Sequence, residues 1–198
     1  MTLWTIQTIP AWNELERTGR LRARSSHLCE PAWFQAYEWM TRQMRDRIGP
    51  PPDQDCVALW AWYRWNAPRT RPDLRCSGHL EKGEGGVRLE LEYPADRVLL
   101  SDFSLWHYVL NYWYLPWSEA DGDAFELELA RHGLSFYEQK PLPHDGYHAQ
   151  IVESWDRCLD LDWHARDIAR PFPEKSIQAT VWEITMEHVV ECRRFTAR

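Results

Sequence analysis

The chain has 198 residues, 44% of them hydrophobic, and a formal net charge of −7, which fits one globular domain spanning residues 1–198. A domain of this length buries roughly 70% of the surface that its unfolded chain exposes, so it needs no disulfide or metal ion to fold. The negative charge argues against non-specific binding to nucleic acid and against binding to acidic membranes. The 13 tryptophans are the unusual feature, because so many large rings must either fill a core or line a pocket.

The cysteines are odd in number and show no C-x-x-C spacing: they are Cys29, Cys56, Cys76, Cys158 and Cys192. Together with the absence of an apolar signal sequence over residues 1–10, this pattern predicts reduced thiols in the cytoplasm. No stretch reaches the roughly 18 to 20 uninterrupted apolar residues that a membrane span needs. We therefore expect a cytoplasmic protein without membrane contact, whose partner is a small molecule or another protein.

Hydrophobic periodicity and capping residues divide the first half of the chain into a strand, two helices and three strands. The predicted bounds are a strand over 3–8, helices over 10–19 and from near 31 to 48, and strands over 56–65, 87–93 and 97–100. In the strand over 87–93, Val87, Leu89 and Leu91 alternate with Arg88 and Glu90. This alternation predicts a half-exposed antiparallel strand whose charged side chains lie in solvent.

In the second half, Asp102 is positioned to cap a helix over 103–114, and two more helices are predicted over 123–132 and 146–158. A β-branched and aromatic stretch over 176–184 predicts a strand, after which Thr185 caps a short final helix through Val190. Helices interrupt the strands without a strict alternation. This order predicts an α+β fold, in which a mostly antiparallel central sheet, continuous or split, is flanked by helices around a tryptophan-rich core.

The familiar catalytic and metal-binding motifs are absent from the sequence. The glycine cluster over 83–86 lacks the lysine and the helix of a phosphate loop, and it is typical of a hairpin turn. His144 and His148 have a metal-ligand spacing, but Gly146 interrupts the helix that would present them, so no metal site is predicted. Asp102 and His107 surround one helix start, where a cap with a solvent-facing histidine competes with a proton-transfer pair as the interpretation.

Two features favour a small-molecule site. Arginines make the first fifty residues locally basic and could hold a phosphate, although solvated arginines are the simpler interpretation. In the strand over 56–65, Trp60 and Trp62 share one face, and Tyr63 and Trp65 share the other. Either both aromatic faces belong to the core, or one packs while the other stacks on a planar ligand such as a base or nicotinamide.

Distinctive aromatic segments recur along the chain: LWTIQT, WAWYRW, RPDLR at residues 71–75, VLLSDFSLWHYVLN, SWDRCLDLDW and KSIQATVWEI. Together they resemble the bacterial domain-of-unknown-function family numbered 3841. The resemblance covers nearly the whole chain. It implies a small cytoplasmic protein, and it brings no established catalytic residue with it.

The opening LWTIQTIPAWNELERTGRL is also similar to the start of ADP-ribosyltransferase-like domains. In those domains a histidine-containing strand begins the site for nicotinamide adenine dinucleotide (NAD), and a late strand carries a glutamate in a Q-x-E or E-x-E pattern. The resemblance places Gln7 at the histidine, followed by Thr8, and it aligns Gln178 with the glutamine and Thr180 with the glutamate. A threonine hydroxyl cannot supply the charge of the glutamate, and Glu183 falls on the opposite face of a regular strand.

These observations lead to one main hypothesis, an aromatic cleft on the central sheet that binds a nucleotide of the NAD type. The predicted ligand-binding residues are Gln7, Thr8, Trp62, Tyr63, Arg22 and Arg75, with an arginine holding a phosphate. If the cleft is catalytic, we expect ADP-ribosyl transfer or dinucleotide hydrolysis, with Gln178, Thr180 and Glu183 as the candidate catalytic residues. The alternative is a non-enzymatic protein-interaction module that docks through exposed tryptophans, tyrosines and arginines.

Overall fold

The computed structural model describes residues 1–27, 33–67 and 70–198. The chain opens with strand β1 (Thr2–Thr8) and helix α1 (Ile9–Thr18), both close to their predicted bounds. Thr8 caps α1, because its Oγ1 accepts a hydrogen bond from the amide of Ala11 at 3.3 Å. Gly19 ends the helix with a left-handed φ of 74°, a conformation that glycine adopts without steric cost.

The middle of the chain supplies one long helix and most of the strands. These elements are β2 (Arg20–Leu21), β3 (Ala23–Arg24), α2 (Phe34–Ile48), β4 (Cys56–Val57), β5 (Leu59–Arg64), β6 (Gly85–Glu92) and β7 (Leu99–Asp102). The predicted start of α2 near residue 31 lies outside the described residues. The strand predicted over 56–65 is divided in two, since β4 pairs with β3 whereas β5 enters the central sheet.

The second half contains the remaining helices and strands, which are α3 (Phe103–Leu110), α4 (Glu119–Arg131), α5 (Asp145–Ser154), β8 (Ile177–Val181), β9 (Ile184–Thr185) and β10 (Val189–Thr196). Asp102 caps α3 as predicted, because its Oδ1 accepts a hydrogen bond from the amide of Ser104 at 2.8 Å. Helix α4 begins earlier than predicted, since Ser118 caps it by accepting from the amide of Asp121 at 3.2 Å.

Thr185 is a cap as predicted, but the helix predicted from it through Val190 is wrong. Met186–His188 form only a short 3-10 turn, and the edge strand β10 follows and pairs antiparallel with β6. Most side chains of β10 are exposed, so this stretch lacks the apolar alternation by which a strand is recognised in a sequence. The missed strand affects the candidate site, because it places Arg193 directly opposite Arg88.

The central sheet has six strands in the order β10-β6-β1-β5-β8-β7, and every neighbouring pair is antiparallel. The predicted α+β class with a mostly antiparallel central sheet is therefore confirmed. Strand β1 pairs with β6 along its whole length, whereas β1 and β5 are in register only at Trp4 and Trp62. The sheet is continuous, but it is weakly joined between β1 and β5.

Side-chain alternation gives the sheet two faces of different character. On the α1 face, Trp12 and Leu15 of helix α1 pack in one cluster with apolar residues of the sheet, which include Leu3, Leu89, Leu91, Ala179 and Val181. On the opposite face, called the helical face, Trp60 and Leu99 join a second cluster with Met40 of α2 and Trp106 of α3. No described residue of β1, β6 or β10 belongs to that second cluster. The helices therefore cover only the β5-β8-β7 half of the helical face.

Within the described ranges, no helix is both long enough and apolar enough to span a bilayer. Cys56, Cys76, Cys158 and Cys192 are free thiols, and Cys29 lies outside the described residues. Burial strongly raises the pKa of the Cys158 thiol, so this cysteine is a neutral part of the core.

Candidate functional site

The β1-β6-β10 half of the helical face is covered by the connection between β5 and β6, described over residues 65–67 and 70–84. Arg88 of β6 donates from Nη1 to the carbonyl of Pro72 in this connection at 3.0 Å. A Cβ added to Gly86 would lie 2.4 Å from a side-chain carbon of Leu80, so the connection packs tightly where the strand has no side chain. Two neighbouring cavities remain between the connection and the sheet.

The first is an open cleft of about 550 Å³, which we call the aromatic cavity. The rings that line it are Trp60, Trp62, Trp65, His79 and Phe103. Trp62 meets the edge of Phe103 at 5.0 Å between ring centroids, and the Nε1 of Trp60 donates to the hydroxyl of Tyr37 at 3.1 Å. These contacts fix the rings in place, so they offer a rigid apolar surface with little conformational freedom to lose.

Gln178 supplies the aromatic cavity with a polar group from β8. It lies opposite Trp62 on one side and Ser101 on the other. Within the described part of the chain, its Oε1 is buried without a hydrogen-bond partner, as is the Oγ of Ser101. A buried acceptor without a donor is destabilising, and a ligand N–H group would satisfy it.

The weak join between β1 and β5 borders the same cavity. One residue after Trp4 in β1, the hydroxyl of Thr5 donates to the carbonyl of Trp60 at 2.9 Å. The Nε2 of Gln7 then donates to the Thr5 hydroxyl at 2.8 Å. Gln7 therefore braces the gap from the α1 face and does not line the cavity.

The second cleft, of about 750 Å³, is called the arginine cavity. Its cationic lining residues are Arg71, Arg75, Arg88 and Arg193, and its acidic ones are Asp73 and Glu90. Each carboxylate has a partner already: Asp73 binds Arg75 at 2.6 Å, and Glu90 accepts from the Nε1 of Trp4 at 3.0 Å. The cavity therefore has an excess of positive charge on a chain whose net charge is −7.

Arg88 is the least expected member of this lining, because its strand alternation predicts a solvent-facing side chain. The prediction is wrong: Arg88 is 5% exposed, since the β5–β6 connection covers it. Among the described residues, its Nη2 has no hydrogen-bond partner. Burial lowers the pKa of Arg88, and the charges of Arg71 and Arg193 lower it further.

The two cavities adjoin at a cross-strand pair of tryptophans. Trp4 lines the arginine cavity and Trp62 lines the aromatic cavity, and the two residues are direct partners in the β1–β5 ladder. Side chains at such positions have Cβ atoms roughly 5 Å apart on the same face. The two clefts therefore lie next to each other on the helical face.

Of the ligand-binding residues predicted from the sequence, the structure places Trp62 in the aromatic cavity and Arg75 in the arginine cavity. Gln178, predicted as catalytic, joins Trp62. Tyr63 packs on the α1 face, and Thr8 is the cap of α1. The prediction that Tyr63 and Trp65 share one face is wrong. Trp65 follows the end of β5, and its side chain lines the aromatic cavity together with Trp62.

The remaining predicted residues lie away from both cavities. Thr180 is fully buried and donates from Oγ1 to the carbonyl of Leu99 at 3.2 Å. Arg22 and Glu183 form an ion pair at 2.7 Å, and Arg22 also reaches Asp53 at 3.0 Å. The hydrogen bond that Arg22 donates to Glu183 raises the pKa of Arg22. These two charges neutralise each other, which leaves neither directed at a ligand.

Sequence reasoning missed Arg88, Arg193, His79 and Phe103 as site residues. The sequence predicts Phe103 at the start of a helix and Arg88 on a solvent-exposed strand face, so neither is marked as a site residue. Arg193 was placed beyond the last predicted helix, so its pairing with Arg88 had no signal in the predicted elements. His79 lies in a connection without periodicity, and its position is set by tertiary contacts such as the one between its ring and Trp65 at 5.7 Å.

Within the described ranges, no group of three or more histidine, cysteine, aspartate or glutamate side chains is arranged to hold a metal ion. A family model described as "Domain of unknown function (DUF3841)" matches residues 2–190, which confirms the family resemblance seen in the aromatic segments. No curated protein and no solved structure matches the chain. The similarity to ADP-ribosyltransferases gains no support from these comparisons and stays a prediction.

Proposed function

The chain belongs to the DUF3841 family, and we propose from the geometry of its cavities that it binds a nucleotide-class ligand whose planar ring enters the aromatic cavity. NAD is the first candidate. The observation that carries the proposal is the position of Trp62 and Gln178, a fixed ring beside a buried amide oxygen without a partner. The family description assigns no reaction, so the proposal depends on these contacts.

Stacking supplies the apolar part of the interaction. Trp62 is held against Phe103, and Trp60 is held by Tyr37 and by a tilted contact with Trp106 at 4.8 Å. Stacking of one base on an aromatic side chain contributes about 1–3 kcal/mol and tolerates any base. The rings therefore support binding of a planar group without selecting one base over another.

Gln178 supplies the selectivity. Its Oε1 accepts hydrogen bonds only, so it favours a ligand edge with an N–H donor, such as a nicotinamide carboxamide or an adenine amino group. A ligand that lacks this donor leaves the buried oxygen unsatisfied, which is penalised. The paired orphan hydroxyl of Ser101 lies one strand away and extends the same polar edge.

The proposal concerns binding first. Gln178 is the one predicted catalytic residue that lines the aromatic cavity. We assign no role to Thr180 or Glu183, because Thr180 is buried in the core and Glu183 is paired with Arg22. If NAD binds, ADP-ribosyl transfer and dinucleotide hydrolysis are the reactions to assay, with Gln178→Ala as the diagnostic variant.

Thermal unfolding of the full chain with and without NAD tests the proposal. A ligand at one hundred times its dissociation constant stabilises the folded state by about 2.7 kcal/mol. We expect Trp62→Leu and Gln178→Ala to abolish this stabilisation. Trp117→Leu and Gln150→Ala are matched controls on exposed residues outside the cavity, and they should retain it. Absence of any shift with nucleotides at about 1 mM, a concentration that detects even weak binding, contradicts the proposal.

A protein-interaction role is the second candidate. It is favoured by Trp117 and Tyr137, whose side chains are 59% and 56% exposed, since tryptophan and tyrosine are enriched at binding hot spots. Under this alternative the Trp117→Leu variant loses a protein partner, whereas Trp62→Leu and all nucleotides have no effect. The two candidates therefore predict opposite responses of the same pair of variants.

A further inference from the structure

Arg88 occupies an unfavourable position for a cation that serves only the fold. Arg88 lies on β6 between two neighbouring strands, and its partners are Ile6 of β1 on one side and Arg193 of β10 on the other. Like charges directly opposite each other in an antiparallel pair are destabilising. The chain thus places two arginines directly opposite each other at the edge of the arginine cavity.

In the described part of the chain, no carboxylate forms an ion pair with Arg88. The Nη1 of Arg88 binds the Pro72 carbonyl, and its Nη2 is buried without a partner in the described part of the chain. The carboxylates of Glu90 and Glu191 lie near enough to raise the pKa of Arg88, but neither forms an ion pair with it among the described residues. A buried charge normally has a paired anion, and the described residues supply none to Arg88.

We infer that the arginine cavity is a phosphate-binding site, in which a phosphoryl or diphosphoryl group binds between Arg88 and Arg193 of the sheet and Arg71 of the connection. Guanidinium groups bind phosphate oxygens through two parallel N–H bonds, and the orphan Nη2 is one such donor. The Trp4–Trp62 pair lies between this cavity and the aromatic one. The phosphate group that we propose here is therefore the diphosphate of the ligand whose ring enters the aromatic cavity. That last step depends on the proposed function; the anion site itself does not.

The arginines that would bind the phosphate come from two parts of the chain. Arg88 and Arg193 belong to β6 and β10, whereas Arg71 belongs to the connection above them. A phosphate that contacts both parts ties the connection to the sheet. We therefore expect anion binding to stabilise the folded chain as well as to neutralise the cavity.

Titration calorimetry with inorganic pyrophosphate at low ionic strength tests this inference on the full chain. Removing a charge-assisted hydrogen bond from Arg88 should weaken pyrophosphate binding about tenfold or more in Arg88→Met. Arg193→Gln should weaken it by roughly three- to tenfold, because this arginine is solvent-exposed and its charge is partly screened. Arg194→Gln is the matched control, since Arg194 lies opposite Val87 on the other face, and it should change affinity by less than about twofold.

Arg193→Gln keeps the inference testable if Arg88→Met fails to fold, because Arg193 is exposed on an edge strand. Failure of pyrophosphate to bind the wild-type chain, or equal loss in the Arg193→Gln and Arg194→Gln variants, would overturn it. Adenosine and nicotinamide, which carry no phosphate, separate the two proposals. If pyrophosphate binds but adenosine and nicotinamide do not, the anion site is supported and the ring site is contradicted. If adenosine or nicotinamide binds but pyrophosphate does not, only the anion site is contradicted.

Discussion

The two faces of strand β6 show how differently one strand can be used. On the α1 face, Val87, Leu89 and Leu91 are fully buried in an apolar cluster. On the helical face, Arg88 is buried to nearly the same degree, yet it keeps a donor without a partner. The first face stabilises the fold through the hydrophobic effect. The second face carries an electrostatic cost that a bound anion would remove.

Strand β8 repeats the contrast within the helical face itself. Thr180 lies beneath helix α2 and donates to the Leu99 carbonyl, so its hydroxyl is satisfied. Gln178, two residues earlier, borders the aromatic cavity and has an unsatisfied oxygen. The orphan polar atoms of the described sheet, on Arg88, Ser101 and Gln178, all lie on the helical face. Buried polar groups without partners thus mark the part of the sheet available for a ligand.

The largest expected effect separates the two faces of β6. Leu89→Ala should lower the free energy of unfolding by about 2–5 kcal/mol, because it opens a cavity in the α1-face cluster. Arg88→Met should change it by less than about 1 kcal/mol, since replacing a poorly paired buried charge by an apolar side chain is often neutral. Urea unfolding followed by circular dichroism measures both. Equal destabilisation by the two changes would mean that Arg88 is a structural cation.

A smaller effect separates the two halves of the helical face. Thr180→Val should lower the free energy of unfolding by about 1 kcal/mol, because it removes the hydrogen bond from the buried Thr180 hydroxyl to the Leu99 carbonyl. Gln178→Leu should be neutral within about 0.5 kcal/mol, since it removes an acceptor that has no partner. Both are measured by the same unfolding assay in the absence of ligand. A large loss in Gln178→Leu would indicate that Gln178 serves the fold.

The smallest effect concerns pH at the edge of the α1 face. Burial lowers the pKa of His188 from 6.5, with Arg97 acting in the same direction and Glu183 and Glu187 against it. Its Nδ1 accepts from the amide of Thr185 at 3.1 Å, which requires the neutral ring. Because the folded pKa lies below the unfolded one, this stabilisation is present above about pH 6.5 and is lost as the pH falls below it.

We expect the free energy of unfolding to be lower at about pH 5 than at about pH 8. The measurement is the free energy of unfolding at about pH 5 and about pH 8 for the wild type and His188→Asn. His188→Asn should flatten the pH dependence, while His164→Asn, a change at an exposed histidine, should leave it as in the wild type. An unchanged slope in His188→Asn would contradict the assignment.

Much of the fold follows from local sequence signals. Thr8 and Asp102 are caps where the sequence places them, and Gly19 ends α1. The strand at 87–93 and its antiparallel pairing follow from alternation. Of the candidate site, Trp62 and Gln178 lie together as the hypothesis requires, because both belong to strands with a clear face. Gln7 and Tyr63 do not join them, since they lie on the α1 face.

The sequence by itself determined the caps of α1 and α3, the family and the antiparallel sheet, since each depends on residues close together in the chain or on a pattern of fixed period. Only the tertiary structure decided that the β5–β6 connection covers Arg88, and that β10 brings Arg193 opposite it. Burial of a side chain depends on what packs over it from distant parts of the chain. An alternating strand carries no record of whether its polar face meets water or a covering segment.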